Sequence, residues 1–196
     1  GEIVHQWYGY KPSSRDIQLG ALGIEIKTTT STRSRHQIQG IHQVELGYSI
    51  DNVPEAELIL LSVGLRWLSD SREDSHSINQ LVGLILDVLP GAQKQDFIRA
   101  VGQYGGDNDV AYDYNVSAES RNFERPFVVN FLRAYDLNDP AISLLGSQDI
   151  GEITHVVAES VTYTVDLPDS IEGSENPISG TDEVVGHILG VAGYGS

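Results

Sequence analysis

The stretch that decides the fold is Arg15-Asp16-Ile17-Gln18-Leu19-Gly20-Ala21-Leu22-Gly23-Ile24-Glu25-Ile26-Lys27-Thr28-Thr29. It predicts two short extended segments joined by a glycine-bearing turn. Because successive side chains of a strand point to opposite faces, Glu25 and Lys27 lie side by side, opposite the isoleucines with which they alternate. Folding the first segment back against the second brings Asp16 towards that pair. The stretch therefore predicts a β-hairpin that gathers two carboxylates and one ammonium on one patch of sheet.

Two interpretations of that patch stay open on the pattern alone. Carboxylate oxygens are ligands that hard divalent cations prefer. A lysine beside such a cation can orient a water or stabilise the charge of a phosphoryl transition state, and the hairpin is then a hydrolytic site. Alternatively, an acid and a base two residues apart form an ordinary solvated strand face, and Asp16 belongs to a turn.

Length and composition predict a globular domain. With 196 residues and 40% apolar content, the chain is expected to bury about two-thirds of its unfolded surface. It contains no cysteine, so disulfides and thiolate zinc sites are excluded. No apolar run approaches the ~20 residues of a membrane span and no signal peptide pattern opens the chain, so we expect a cytoplasmic protein. We expect residues 1–167 to form the domain and residues 168–196 to form an acidic, Gly/Ser-rich linker and C-terminal tail.

The charge of the chain is strongly acidic but unevenly distributed. A net charge of −16 argues against a general nucleic-acid binder, because binding to phosphates depends on lysine and arginine. Residues 11–35 nevertheless contain Lys11, Arg15, Lys27, Arg33 and Arg35 against only Asp16 and Glu25. This basic edge can contact a DNA backbone, weakly unless a partner subunit contributes.

The remaining pattern predicts strands and helices of an α/β domain. Residues 58–65 are nearly all apolar, as in a strand covered on both faces, and predict the central strand. Ser77 and Gln80 form a capping box for a helix that ends at Pro90-Gly91. The predicted buried stripe of this helix is Ile78, Leu81, Leu84, Ile85 and Val88. Further predicted elements are a strand at 35–41, a short helix at 42–46, a helix at 93–101 and strands at 127–135 and 153–167.

The spacing of residues argues against several other kinds of catalytic or binding site. The chain has no His-x-x-x-His pair, no Gly-x-Ser-x-Gly nucleophile elbow and no glycine-rich phosphate loop. The acids at 105–109 lack the spacing of a calcium-binding loop, so a turn is expected there. These absences leave the hairpin as the main candidate site.

A family resemblance favours the hydrolytic interpretation. The segments that carry it are Trp7-Tyr8-Gly9, Asp16, Glu25-Ile26-Lys27-Thr28-Thr29, Arg35-His36-Gln37-Ile38 and Gln43. Together they resemble the PD-(D/E)xK nuclease superfamily and, more narrowly, bacterial PD-(D/E)xK-motif proteins of restriction and phage-defence gene clusters. The resemblance extends over roughly residues 6–168, and its specific motifs lie within residues 7–45.

The resemblance implies a restriction-endonuclease-like core, with a mixed central β-sheet flanked by helices, and metal-dependent cleavage of DNA. Asp16 and Glu25 would hold Mg²⁺ or Mn²⁺, with the backbone carbonyl of Ile26 as a possible further ligand. Lys27 would position the water, supported by Gln43, which otherwise reads as a polar residue at a helix start. Candidates for DNA contact are Arg15, Arg33, Arg35 and His36. Expected partners are DNA and a second copy of the chain or other defence subunits.

The chain also departs from the superfamily pattern. Arg15 occupies the position where the motif has a proline before its aspartate. Many members place a further acidic residue on a helix before the core, and we expect either that this helix is absent here or that Glu2 is its remnant. Two other hypotheses therefore stay open, an inactive DNA-binding or scaffolding subunit of a defence complex and a plain structural hairpin.

Overall fold

The structure, a computed structural model, describes residues 6–9, 15–50, 52–104, 121–151, 153 and 155–194. The chain divides into two compact units. Unit 1 comprises Gly1–Ser13 and Arg66–Val128, and unit 2 comprises Ser14–Leu65 and Val129–Ser196. Glu2, Lys11 and the turn expected at 105–109 lie outside the described residues.

The described residues form a mixed α/β fold. The strands are β1 Ile17–Leu19, β2 Leu22–Thr29, β3 Ser34–Gln39, β4 Ser49–Ile50, β5 Val53–Pro54, β6 Glu57–Trp67, β7 Phe127–Asp136, β8 Thr162–Leu167 and β9 Ile178–Ser179. The helices are α1 Ile78–Val88, α2 Gly91–Tyr104, α3 Arg121–Glu124, α4 Ser147–Gly151 and α5 Thr181–Val191, with 3-10 turns at Ile41–Gln43 and Ala158–Ser160. Five strands form one sheet in the order β1-β2-β6-β7-β9, while β3 pairs with β8 and β4 pairs with β5. Within the described part of the chain, no helix has the length and apolar content to cross a membrane.

The predicted hairpin opens the five-stranded sheet. Strands β1 and β2 are antiparallel, with Ile17 opposite Ile24 and Leu19 opposite Leu22. Gly20 makes the turn with a φ of +59°, a conformation that glycine adopts without the steric cost of a Cβ. Strand β2 then runs parallel to β6, so the sheet is mixed. Strand β6 contains the apolar run 58–65 and is the central strand, which confirms that prediction.

Unit 2 has one apolar cluster on each face of this sheet. On one face, Ile24 and Ile59 pack with Val184 of α5. On the other face, Leu60 packs with residues of β3 and β8, including Ile38. Because side chains alternate along a strand, the charged residues of β2 lie on the second face. The hairpin therefore presents its charges towards the layer formed by β3 and β8.

In unit 1 the first helix has its predicted boundaries, but one of its predicted faces is wrong. The second helix is longer than the predicted 93–101 and spans Gly91–Tyr104. Helix α1 begins at the predicted Ser77–Gln80 capping box, and Phe97 of α2 is buried. The predicted stripe of α1 is wrong, because its buried residues are Val82 and Leu86, while Leu84 is 60% exposed and Val88 is 79% exposed. Almost every residue from 81 to 89 is apolar, so the pattern cannot fix which face is buried.

The C-terminal residues belong to unit 2. Where we expected a linker and a tail over residues 168–196, the structure has β9, which pairs with β7, and α5. Val184 of α5 is 1% exposed. The strand expected at 153–167 is shorter and begins only at Thr162. A two-residue strand such as β9 gives too little alternation to be recognised from sequence.

We predict that Val184→Ala lowers the free energy of unfolding by about 2 kcal/mol, because it removes two buried methyl groups from the cluster beneath the sheet. Val185→Ala is the matched control, since Val185 is 47% exposed on the same helix, and it should change stability by less than about 0.5 kcal/mol. Urea unfolding measures both. Equal effects of the two substitutions would show that α5 does not pack on the sheet.

Candidate active site

The first strand of the hairpin brings Asp16 to the edge of β2. The Asp16 N–H donates to the Ile24 carbonyl at 3.0 Å. The Asp16 carboxylate accepts a hydrogen bond from the Ile26 N–H at 2.8 Å. Ile17 is the first residue of β1 and pairs with Ile24, so Asp16 directly precedes the paired residues. Its carboxylate is close enough to Glu25 to raise the pKa of that residue.

Lys27 joins the other predicted residues of the site. Its Nζ lies 2.9 Å from Glu25 Oε1 and donates to Gln43 Oε1 at 2.9 Å. The same Gln43 oxygen accepts the Gln39 N–H at 2.9 Å, which fixes its position. Gln43 ends the 3-10 turn Ile41–Gln43, where we expected a helix starting at residue 42. We call Asp16, Glu25, Lys27 and Gln43 the hairpin cluster.

Burial determines the ionisation of Glu25. It raises the pKa of Glu25 to about 6 from the ordinary 4.5, and the Asp16 carboxylate adds to the rise. The hydrogen bond and charge of Lys27 lower this pKa, but they do not offset the loss of solvation of a residue that is only 5% exposed. Glu25 is thus ionised at neutral pH at a free-energy cost, which a bound cation would reduce.

A comparison with protein-family models matches residues 1–124 to the family described as "Putative PD-(D/E)XK family member, (DUF4420)". The chain belongs to this DUF4420 family. The matched residues include the whole hairpin cluster, and the mixed sheet with flanking helices is consistent with the restriction-endonuclease-like fold of PD-(D/E)XK proteins. Comparisons with curated proteins and with solved structures found no match.

PD-(D/E)XK nucleases generally use divalent metal ions, and the donors of this DUF4420 chain fit one. Among the described residues, no group of three or more His, Cys, Asp or Glu side chains is placed to hold a metal. Two carboxylates suffice for Mg²⁺, which keeps several waters and takes up substrate oxygens. The N–H and C=O of one strand residue point to the same edge. Because the Ile26 N–H points to Asp16, the Ile26 carbonyl faces that edge too.

Two of the four residues predicted to contact DNA are buried, which corrects their assignment. Arg15 is 1% exposed and pairs with Glu55 at 2.6 Å. His36 is 4% exposed and its Nε2 lies 2.7 Å from Ser62 Oγ. Burial, followed by the charge of Lys27, lowers the pKa of His36 to about 4, so its ring is neutral. The alternation of β3 turns His36 inward, and the partner of Arg15 lies too far along the chain to be read from local sequence.

The other two arginines lie on the surface of this DUF4420 protein. The side chains of Arg33 and Arg35 are 61% and 59% exposed. Both pair with Asp166 of β8, at 3.2 and 2.7 Å respectively. The hydrogen bond from Arg35 lowers the pKa of Asp166 and keeps it ionised. Of the predicted DNA contacts in the basic edge, Arg33 and Arg35 are therefore exposed, and they share one carboxylate, that of Asp166. Their contact with DNA stays a prediction.

Two residues near the cluster were missed by sequence analysis. Glu55 closes the buried ion pair with Arg15, and nothing in the local pattern around it signals this. Ser62 lies beside Lys27 in the parallel pair of β2 and β6 and hydrogen-bonds Ser34 at 3.0 Å. A lone serine inside the apolar run 58–65 was the available signal, because a buried hydroxyl needs a partner.

We predict that Glu25→Gln stabilises the folded protein above pH 6, by about 2 kcal/mol relative to wild type. The raised pKa of Glu25 means that the wild type loses this stability as the pH rises from about 4.5 through about 6. Glutamine does not ionise and can still accept a hydrogen bond from Lys27. Urea unfolding of both proteins across this pH range measures the difference.

Glu172→Gln is the control for that measurement, because it removes one negative charge at an exposed position of the same unit. It reports the general effect of lowering the charge of an acidic protein. If both variants changed stability with the same pH dependence, the cost of ionising Glu25 would not arise from its burial.

Proposed function

We propose that this protein is a metal-dependent DNA endonuclease that hydrolyses phosphodiester bonds at the hairpin cluster. The observation that carries the proposal is the convergence of the cluster. The Asp16 carboxylate binds the Ile26 N–H, one residue from Glu25, and Lys27 contacts both Glu25 and Gln43. Membership of the DUF4420 family supports nuclease chemistry and a DNA substrate.

Asp16 and Glu25 would hold Mg²⁺ or Mn²⁺, with the Ile26 carbonyl at the same strand edge. The bound ion supplies Lewis-acid activation of the scissile phosphate and of a water. The two carboxylates would supply hard oxygen donors, which are the ligands that Mg²⁺ and Mn²⁺ prefer. The Asp16 side chain is fixed by the Ile26 N–H, and the Glu25 side chain is fixed by the Lys27 ammonium.

Lys27 would act on the water and on the developing negative charge. An ammonium has three N–H donors, and the contacts with Glu25 and Gln43 account for two of them. Its side chain is 17% exposed, so it is accessible from solvent. A cation held at a fixed point in a partly desolvated site stabilises a phosphoryl transition state more than a freely solvated lysine does.

The basic edge would contact the DNA backbone beside the cluster. Arg33 and Arg35 are the exposed cations there, and Asp166 offsets part of their charge. With a net charge of −16, binding is expected to be weak and salt-sensitive. We therefore propose that a second copy or another defence subunit supplies further contacts. The setting proposed from the family resemblance is bacterial restriction or phage defence.

We predict that Lys27→Ala abolishes metal-dependent cleavage, with a loss of at least about 100-fold, and leaves the fold intact. The assay uses full-length protein with Mg²⁺ or Mn²⁺ on modified and unmodified plasmid DNA. Lys94→Ala is the matched control, because it removes the same charge from α2, outside the cluster. Cleavage by Lys27→Ala at the wild-type rate would refute the proposed site.

The alternative function is an inactive DNA-binding or scaffolding subunit that retains the fold. Two observations favour it: the acidic charge, and the presence of only two carboxylates in the cluster, with no larger group among the described residues. Calorimetry with Mn²⁺ separates the two functions. A nuclease binds the ion and loses it in Asp16→Asn, whereas a scaffold shows no binding that depends on Asp16.

A further inference from the structure

A buried ion pair lies beside the hairpin cluster, on the same face of β2. The Arg15 guanidinium donates to both carboxylate oxygens of Glu55, from Nε to Oε1 and from Nη2 to Oε2, each at 2.6 Å. The side chains are 0% and 1% exposed. Such a two-point contact fixes the relative orientation of both groups as well as their separation. Because it is closed to solvent, this pair cannot contact DNA.

The same guanidinium holds the segment that carries Gln43. Arg15 Nη1 donates to the His42 carbonyl at 2.7 Å, and Nη2 donates to the Glu45 carbonyl at 2.6 Å. Its Cζ also lies 5.2 Å from the ring centroid of Tyr48. A single side chain therefore fixes three points of the chain between residues 42 and 48.

The pair occupies space that only a glycine leaves open. A Cβ at Gly23 would lie 1.8 Å from Glu55 Oε1 and 2.8 Å from Arg15 Nε. Gly23 belongs to β2, two residues before Glu25 and on the same face. The ion pair thus rests on the strand that carries two residues of the cluster, while Arg15 itself precedes Asp16 in the chain.

We propose that the Arg15–Glu55 pair is a positioning element of the active site. It sets the distance between the segment bearing Gln43 and the strand bearing Glu25 and Lys27, and it anchors the backbone from which Asp16 extends. This inference rests on the proposed nuclease function for its catalytic consequence. Its structural consequence is the position of Gln43 against Lys27, which can be tested without measuring DNA cleavage.

Stability alone does not account for such a pair. Removing one partner of a buried ion pair leaves an uncompensated charge, whereas replacing both partners with apolar residues of similar size is often neutral or stabilising. What the apolar replacement cannot supply is a set of directional bonds to the His42 and Glu45 carbonyls. A double substitution therefore separates positioning from stability.

The test compares wild type with Arg15→Met/Glu55→Met. We expect the double variant to regain most of the melting temperature lost in Arg15→Met alone. We expect its kcat for plasmid cleavage to fall about 100-fold, the loss that a displacement of about 1 Å produces, with DNA affinity unchanged. We also expect the ¹⁵N NMR signal of the Lys27 ammonium to weaken strongly, because exchange with water becomes faster when Lys27 loses Gln43 and keeps only its contact with Glu25.

Arg15→Lys is a second variant for the case in which the double variant does not fold. It keeps the charge beside Glu55 but cannot bridge both carbonyls, so we expect a smaller loss of kcat, about 10-fold, and a weakened Lys27 signal. The control is Arg72→Met/Asp74→Leu, which removes an exposed ion pair and should change neither readout.

The outcomes separate the two proposals. Wild-type protein that cleaves no DNA refutes the nuclease function, and the Lys27 signal alone then decides the role of the pair. Folded variants that retain both the wild-type kcat and the wild-type Lys27 signal overturn the positioning role. Loss of kcat with an unchanged Lys27 signal overturns it as well, because the cluster would then be intact.

Discussion

The antiparallel register between β1 and β2 is the constraint on which the rest of the site depends. It is set by the pairing of Ile17 with Ile24, and it places Asp16 where its N–H binds the Ile24 carbonyl and its carboxylate binds the Ile26 N–H. A shift of one residue would turn every side chain of β1 to the opposite face. Asp16 would then leave Glu25, and the cluster would have a single carboxylate. Burial of the isoleucine face excludes that shift. The packing of the core therefore also fixes the positions of the site residues.

The same packing buries ionisable groups of the site, and removing them from water costs free energy. Four ionisable side chains in or near the site are each less than 10% exposed, namely those of Arg15, Glu25, His36 and Glu55. Each charge is paired, and His36 stays neutral. Burial nevertheless keeps the pKa of Glu25 above its ordinary value. Asp16 and Glu25 together carry one more negative charge than Lys27 offsets, so the site is suited to take up a cation, which is the chemistry expected of a PD-(D/E)XK protein.

Sequence predicted those parts of the structure that depend on local pattern. The hairpin, the central strand and the capping box of α1 follow from alternation, apolar runs and short-range hydrogen bonding. The contact of Lys27 with Glu25 and the hydrogen bonds between Asp16 and β2 follow from the hairpin. What sequence missed depends on distant partners or on an ambiguous pattern. Arg15 meets Glu55 forty residues away, β9 is too short to show alternation, and α1 is apolar on most sides.

The central claim is that Asp16 and Glu25 share one divalent cation. Its most direct test is an anomalous difference map from crystals of the protein grown at neutral pH and soaked in Mn²⁺. The account predicts one peak within coordination distance of both carboxylates, and loss of that peak in Asp16→Asn. Ordered Asp16 and Glu25 side chains with no peak between them, at an Mn²⁺ concentration that occupies other sites, would contradict it.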